Sequence, residues 1–446
     1  MSKLALLGGE KFVTKDAGTI FDWPIVTKED EEAVLDALRK RKMSGSDITK
    51  AFEEDWCKWT GSKYALGTNN GTSALHCAMF GCGVGRGDEI ICPAVTYWAS
   101  CTAVYNLGAT VVFCDIDPIT RNLDPKKLEA KITDKTKAIV VVHYESYPAD
   151  MDEIMEIARK HNVKVIEDVS HAQGGKYKGR MLGTIGDVGA ASLMSGKSFA
   201  MGEAGILHTD NRESYERAIA FGMYERFSAK DIETDYLKPL AGLPLGGFKF
   251  RMHQLSSAMG RVQIKYYDER CAEIDKAMNY FLDLIDGLPG MRPRRVDYST
   301  GSTMAGWYAT TGIYVPEELG GLSVTRFTEA IRAEGVEGGV TAGCNRPLHT
   351  HNLFKTADVF NDGKPTRIAN SDKDVRELDN DLTVAEGIGR LTFHLPWFKH
   401  FDKELIEQYA GAFRKVCENY KDLLPGDEGD PENIGGWHRF THDKKK

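Results

Sequence analysis

The sequence predicts an α/β fold: a mostly parallel sheet flanked by helices, with a smaller C-terminal α+β domain. Three observations carry that expectation. Apolar runs of strand length alternate with helix-period segments from about residue 63 to 210. Strands that are apolar nearly throughout need cover on both faces, which points to a parallel sheet between helix layers. A long amphipathic stretch over 253–286 predicts a helix leading out of that sheet, and beyond it the pattern loosens into Pro and Gly clusters at 288–290 and 318–321.

In chain order, Thr27 to Asp30, ahead of Val34, Leu35 and Leu38, reads as a capped helix start in an N-terminal arm. Residues 63–68 predict a strand, and 71–80 a helix with Ala74, Leu75, Ala78 and Met79 on one side. Strands follow at 89–92, 110–114 and 138–142, the last strongly β-branched. A helix at 151–160 and a strand at 163–166 continue the alternation. The expected boundaries are an arm over 1–30, a large α/β domain over 31–265 and a small α+β domain over 266–422. The tail over 423–446, acidic, then Gly-rich, then basic, is expected to be disordered.

A chain of 446 residues with 42% hydrophobic content buries a large core without disulfide staples. Its net charge of −8 offers no basic field to nucleic acid or to an anionic membrane. The nine cysteines are odd in number and form no CxxC pair. Neither a metal site nor a disulfide framework is therefore expected, and the thiols read as free and mostly buried in a reducing cytoplasm. The first residues hold too short an apolar run for a signal peptide, and no stretch suits a membrane span. A cytoplasmic location is expected.

Three local features bear on chemistry. Asp168 ends an apolar strand, and in open α/β sheets ligands bind just outside those ends. A carboxylate there pairs with a protonated ring nitrogen, or simply closes a turn. Lys197 lies among small and apolar residues over 191–205. Partial desolvation makes an amine nucleophilic in such a place, unless it snorkels to solvent. Residues 69–75 join a strand to a helix, so the N–H groups of Gly71, Thr72 and Ser73 stand at a helix N-terminus suited to an anion. The alternative there is plain capping by Asn70 or Thr72. The features say more together than singly.

Together and in this order they resemble the sugar aminotransferases, which act on nucleotide-linked keto-sugars and keto-cyclitols and have the aspartate aminotransferase fold, fold type I. The matching blocks are the loop of Gly71, Thr72 and Ser73; Pro93 to Tyr97; Glu167 to His171 with Gly175 to Arg180; Ser192 to Lys197 with Gly202 to Gly205; and, with one change, Gly247 to Met252. The resemblance spans roughly 1–420. It implies a mostly parallel seven-stranded sheet, pyridoxal 5′-phosphate as cofactor and a homodimer with composite active sites. It implies that Lys197 holds the cofactor as a Schiff base and moves the substrate proton as base, then acid. Asp168 would pair with the pyridine nitrogen, which makes the ring an electron sink. His171 would lie near the phenolic oxygen and Tyr97 would stack on the ring, with Trp98 packed elsewhere. Ser192 would bind the phosphate beside the N–H groups of Thr72 and Ser73.

Lys249 stands where family members usually have an Asn that reaches the neighbouring subunit's cofactor phosphate, and is expected to act there as a point charge. Ala191 and Ala204 replace a usual aromatic residue and a usual Gly. The implied reaction is a ping-pong transamination. Glutamate or glutamine leaves its nitrogen and departs as a keto acid, and a keto-sugar or keto-cyclitol takes the amine. The spelling of Glu167 to His171 and the stretch Cys344 to His349 lean toward inosose-like rings, with a nucleotide-linked keto-sugar as the alternative. Arg251 is a candidate for the donor carboxylate or for a structural ion pair. His143 is a candidate to face the site or to be a satisfied core histidine. A sugar dehydratase on this fold carries His in place of the lysine, so Lys197 argues against it. Retention of Asp168, Lys197 and the phosphate loop together argues against a non-catalytic regulator.

Overall fold

The computed structural model describes residues 3–356, 361 and 381–436. Helices α1 (Lys28–Arg39) and α2 (Asp47–Thr60) precede the sheet. The capping signal at Thr27 is real: its side chain accepts the Asp30 N–H, and the Asp30 carboxylate accepts the Thr27 N–H at 2.8 Å. A cap of this kind stabilises a helix by about 1 kcal/mol.

The chain then enters β1 (Tyr64–Thr68), α3 (Gly71–Gly81), β2 (Glu89–Pro93), β3 (Thr110–Cys114), β4 (Thr136–Val142) and β5 (Lys164–Asp168). A short hairpin, β6 (Lys176–Tyr177) and β7 (Arg180–Met181), leads to β8 (Val188–Ser192) and β9 (Gly205–Thr209). Seven strands form one sheet in the order β1-β9-β8-β5-β4-β2-β3, with β9 antiparallel to both neighbours and all other pairs parallel. Strand periodicity splits the buried side chains between two cores. Ile90, Cys92, Val111, Phe113, Val140 and Val142 point into one, and Ile91, Val112, Cys114, Ile139 and Val141 into the other. Strand β8 escapes a reading by apolar bulk, because it is built largely from Gly189, Ala190 and Ala191.

The helix Gln254–Ile285 is 32 residues long, about 48 Å at 1.5 Å per residue. It joins two cores: Tyr267 packs with the sheet, while Ile274, Met278, Phe281 and Leu282 pack with a third core. That third core surrounds a small antiparallel sheet of Met291–Arg292, Thr311–Tyr314 and Thr392–His394, and takes in Leu4 and Val13. The start of the tail differs from the disordered segment expected over 423–446. Leu423 is fully buried, the Asp427 carboxylate accepts the Ser323 N–H at 2.7 Å, and the Asp430 carboxylate accepts the Thr325 N–H at 3.0 Å. Two acidic side chains thus serve the N-terminus of helix Val324–Ala333, where negative charge is favoured. Residues 437–446 lie outside the described residues.

All nine cysteines are free thiols, seven of them buried. Among the described residues no helix is long and apolar enough to cross a membrane, and no group of His, Cys, Asp and Glu is placed to hold a metal.

Candidate active site

The sheet gathers the chemistry at one edge. Val142 pairs with Asp168 across β4 and β5, and Ser192 and Thr68 both pair with Gly205. Because β8 and β9 are antiparallel, the loop that carries Lys197 leaves and re-enters the sheet at this same edge. The N-terminus of α3 is pressed onto it. A Cβ on Gly71 would stand 2.6 Å from Ser192 Cβ, and one on Gly205 would stand 2.2 Å from the Asn70 carbonyl oxygen. Only glycine permits either approach.

A cavity of about 380 Å³ opens at this edge, lined by Gly71, Thr72, Tyr97, Asp168, His171, Ser192 and Lys197 among others. Seven of the residues singled out from sequence therefore share one wall system. A larger, more open cleft of about 540 Å³ lies beside it around His76, Phe248 and Phe250, with no lysine or carboxylate in its lining.

Asp168 is buried and held at both oxygens. Ser100 Oγ donates to Oδ2 at 2.7 Å, and the Ser170 N–H donates to Oδ1 at 3.0 Å. The carboxylate thus has a set orientation at a strand end. Lys197 is 9% exposed, with its Nζ 4.4 Å from the centroid of the Tyr308 ring and its carbonyl accepting Trp23 Nε1–H at 2.7 Å. It does not snorkel to solvent. His171 packs 4.7 Å from the same Tyr308 ring. Burial, with the Lys197 charge adding to it, pushes its pKa well below the usual histidine range, so the ring is neutral. Its Nδ1 accepts the Glu145 N–H at 3.3 Å, which leaves Nε2 as the N–H donor.

The α3 N-terminus divides its donors. Asn70 caps the helix, and its Oδ1 takes the Ser73 N–H at 2.8 Å. Ser73 is thereby removed from the expected anion site and lines the neighbouring cleft instead. Gly71 and Thr72 keep the first two N–H groups of the helix at the cavity. Ser192 is fixed by Gln173, which donates to its carbonyl at 2.7 Å, and by Ser170 Oγ, which accepts its N–H at 2.9 Å. Tyr97 is 36% exposed on the cavity wall, while Trp98 turns away to an edge contact with His351 at 5.3 Å.

Three sequence candidates lie elsewhere. His143 is fully buried and off the cavity: its Nδ1 accepts the Ala149 N–H at 3.1 Å and its Nε2–H donates to Glu167 at 2.9 Å. It is a satisfied core histidine, because Glu167 needs that donor beside the N–H groups of Gly183, Ile185 and Gly186. Those bonds hold the Glu167 carboxylate below its ordinary pKa against the burial that acts the other way. Lys249 and Arg251 both pair with Glu225, Arg251 at 3.2 Å, on a segment bridged to Met223 and Thr68. Within the chain, Arg251 is thus an ion-pair residue and not part of the cavity wall.

Tyr308, Ser100, Ser170, Asn345, His394 and Glu145 escaped the sequence reading as site residues. Ser170 and Asn345 lie inside the matching stretches 167–171 and 344–349. Glu145, a lone charge two residues past a histidine that follows a β-branched strand, was a legible signal. The others come from separate elements and have no local pattern.

The geometry has clear counterparts. Residues 24–413 match the model of the DegT/DnrJ/EryC1/StrS aminotransferase family. The chain is 30% identical over 426 residues to the L-glutamine:2-deoxy-scyllo-inosose aminotransferase of Streptoalloteichus tenebrarius, covering 90% of this chain and 96% of that one. It is 38% identical over 230 residues to the GDP-perosamine synthase of Caulobacter vibrioides, a match over 52% of this chain and 60% of that one. The crystal structure of the aminotransferase from Psychrobacter cryohalolentis superposes with a TM-score of 0.77 at 28% identity, covering 90% of this chain and 99% of that one. A cavity with a lysine, an oriented strand-end carboxylate and a helix N-terminus, on this sheet order and in this company, settles the family: the chain belongs to the DegT/DnrJ/EryC1/StrS aminotransferases, with the fold type I architecture.

Proposed function

We propose that the chain is a pyridoxal 5′-phosphate-dependent aminotransferase that passes nitrogen from glutamate or glutamine to a keto-cyclitol or keto-sugar. The gathering of Lys197, Asp168, Ser192 and the α3 N-terminus around one cavity supports it. These donors fit the cofactor. The N–H groups of Gly71 and Thr72 with the Ser192 hydroxyl suit a phosphate, and the missing side chain of Gly71 lets the helix end close onto Ser192. The buried, oriented Asp168 suits a pyridinium nitrogen, and Tyr97 offers a ring face. When bound, the cofactor supplies an electron sink for the carbon that loses its proton.

The chain's own groups do the rest. Lys197 Nζ takes the proton from the substrate carbon as a base and returns it as an acid. Asp168 would keep a proton on a ring nitrogen placed beside it, because adjacent negative charge favours the protonated form. Neutral His171 would offer its Nε2–H to the cofactor's phenolic oxygen. One cavity serves donor and acceptor in turn, so the keto acid leaves before the ring enters. Lys249, in a homodimer, adds a cation to the phosphate of the neighbouring site. The 2-deoxy-scyllo-inosose aminotransferase, matched over nearly its whole length, supports a cyclitol acceptor. The perosamine synthase supports a nucleotide-linked keto-sugar as the second reading.

Absorbance tests the proposal. The cofactor-loaded enzyme should change its visible spectrum on adding glutamate or glutamine, and regain it on adding an inosose or a nucleotide-linked keto-sugar. Lys197→Ala should show neither change. A wild-type spectrum that ignores both amino acids sinks the reading.

A further inference from the structure

Glu145 is a buried acid on the cavity wall with one oxygen spoken for and one not. The chain reaches it abruptly. After β4 and His143, Glu145 and the following Ser146 adopt φ of +52° and +67°, a backbone region that side-chain-bearing residues avoid. Strain of this kind persists where the surroundings over-determine it, and it clusters at ligand sites.

The surroundings are two arginines. Glu145 is 1% exposed, and its Oε2 accepts from Arg121 Nη1 at 3.1 Å, from Arg294 Nη1 at 3.2 Å and from the Thr311 hydroxyl. Arg294 is itself pinned by the Ile119 carbonyl at 2.9 Å, and Arg121 by the Gly312 carbonyl at 2.9 Å. Glu145 Oε1 is buried with no hydrogen-bond partner among the described residues. A buried carboxylate oxygen without a donor is costly, and native proteins rarely leave one so.

Glu145 lines the same cavity as the reacting amine. The Glu145 N–H donates to His171, the His171 ring contacts Tyr308, and Lys197 Nζ sits over that same ring. Two guanidiniums against one carboxylate leave one positive charge in excess, and Lys197 shares the cavity. An incoming ammonium is therefore disfavoured, and a neutral hydroxyl donor is not.

We propose that Glu145 is a specificity-determining residue for the acceptor: its Oε1 accepts a hydrogen bond from one hydroxyl of a polyhydroxylated keto ring, while Arg121 and Arg294 hold the carboxylate in place. The inference rests on the proposed transamination of such a ring. Sites built to hydrogen-bond a hydroxyl reject the analogue that lacks it, because the buried partner is left unpaired.

The test uses the cofactor-loaded enzyme, treated with glutamine and desalted. Single-turnover return of the spectrum is measured with scyllo-inosose and with each of its single-deoxy derivatives, and with a nucleotide-linked keto-hexose and its deoxy derivatives. One deoxy position should lose at least tenfold in rate at low ring concentration. In Glu145→Gln, or in Glu145→Asp if the first variant fails to fold, that penalty should shrink below threefold. Glu145→Asp keeps the charge that faces the arginines and shortens the reach by one methylene. A wild type that treats every deoxy ring alike, or a variant that keeps the wild-type penalty, overturns the proposal. An enzyme that takes no amine from glutamine or glutamate, or passes none to either ring class, fails the parent reading instead.

Discussion

Lys197 Nζ stands 4.4 Å from the centroid of the Tyr308 ring, and the same ring lies 4.7 Å from that of His171. One aromatic side chain from the loop between the first two strands of the small sheet thus contacts both the amine and the neutral histidine of the large domain. Replacing it by Tyr308→Leu removes a face worth about 0.5–2 kcal/mol to a cation. Turnover should fall roughly 3- to 30-fold on that scale, with cofactor content, read by absorbance, unchanged. Loss of the cofactor itself would show that the ring does something else.

Asp168→Asn keeps the shape of the side chain and the Ser100 contact but removes the charge. The donor half-reaction should slow by roughly a hundredfold or more, the usual scale for losing one preorganised electrostatic partner. Rapid-mixing absorbance with glutamine measures it. An Asn variant as fast as wild type would remove Asp168 from the ring nitrogen.

Gly71→Ala places a methyl 2.6 Å from Ser192 Cβ, 2.7 Å from its Cα and 2.9 Å from its N. Overpacking against backbone costs about 1–3 kcal/mol, and the displaced helix end should also release the cofactor more readily. Trimming the neighbour in Gly71→Ala/Ser192→Gly should not restore the melting temperature, because two of the three clashes are with backbone. Recovery in that double variant would place the strain in the side chain alone.

Acid should unfold the protein through its buried histidines. Burial lowers His76 and His208 to about 4, and His171 well below the usual histidine range. Above pH 6.5 these rings are neutral both folded and unfolded, so they contribute no pH dependence. Below it the unfolded chain binds protons that the folded chain refuses, so stability falls from pH 6.5 down to about 4. His76 and His208 should each account for about 3 kcal/mol over that window at about 1.4 kcal/mol per unit. His76→Leu, at a ring whose Nε2 has no partner among the described residues, should flatten the slope of urea midpoint against pH. An unchanged slope counts against the assignment.

Lys249 is tied within its own chain to Glu225. Glu225→Gln should free it and strengthen cofactor retention if it serves a neighbouring subunit's phosphate, and Lys249→Ala should weaken retention. Dilution below the dimer dissociation range should abolish the difference, as followed by cofactor fluorescence. Identical retention in all three proteins would confine Lys249 to its ion pair.

The alternation of apolar strands and helices was legible because each element writes its own period: 138–142 as a β-branched run, 151–160 as a helical face, Thr27 to Asp30 as a cap. Asp168, Lys197 and the Gly71 loop were legible for a related reason. Each sits at an element boundary whose local chemistry is unusual, and their order along the chain is distinctive. Strand β8 was less so, since small residues carry little hydrophobic signal even where tight packing demands them.

What the sequence determined by itself was therefore the elements, the family resemblance and the lysine at its centre. What only the tertiary structure decided was who faces whom. His143 stood open between the site and the core, and the folded structure turned it into the core while His171 joined Lys197 on the cavity wall. Ser73 looked equal to Thr72 until Asn70 claimed its N–H. Arg251 and Lys249 found Glu225, and Glu145 gathered arginines from 24 and 149 positions away. Periodicity and capping are local, so sequence records them. A hydrogen-bond partner hundreds of residues distant is chosen only when the backbone has folded and every buried polar group must find a mate.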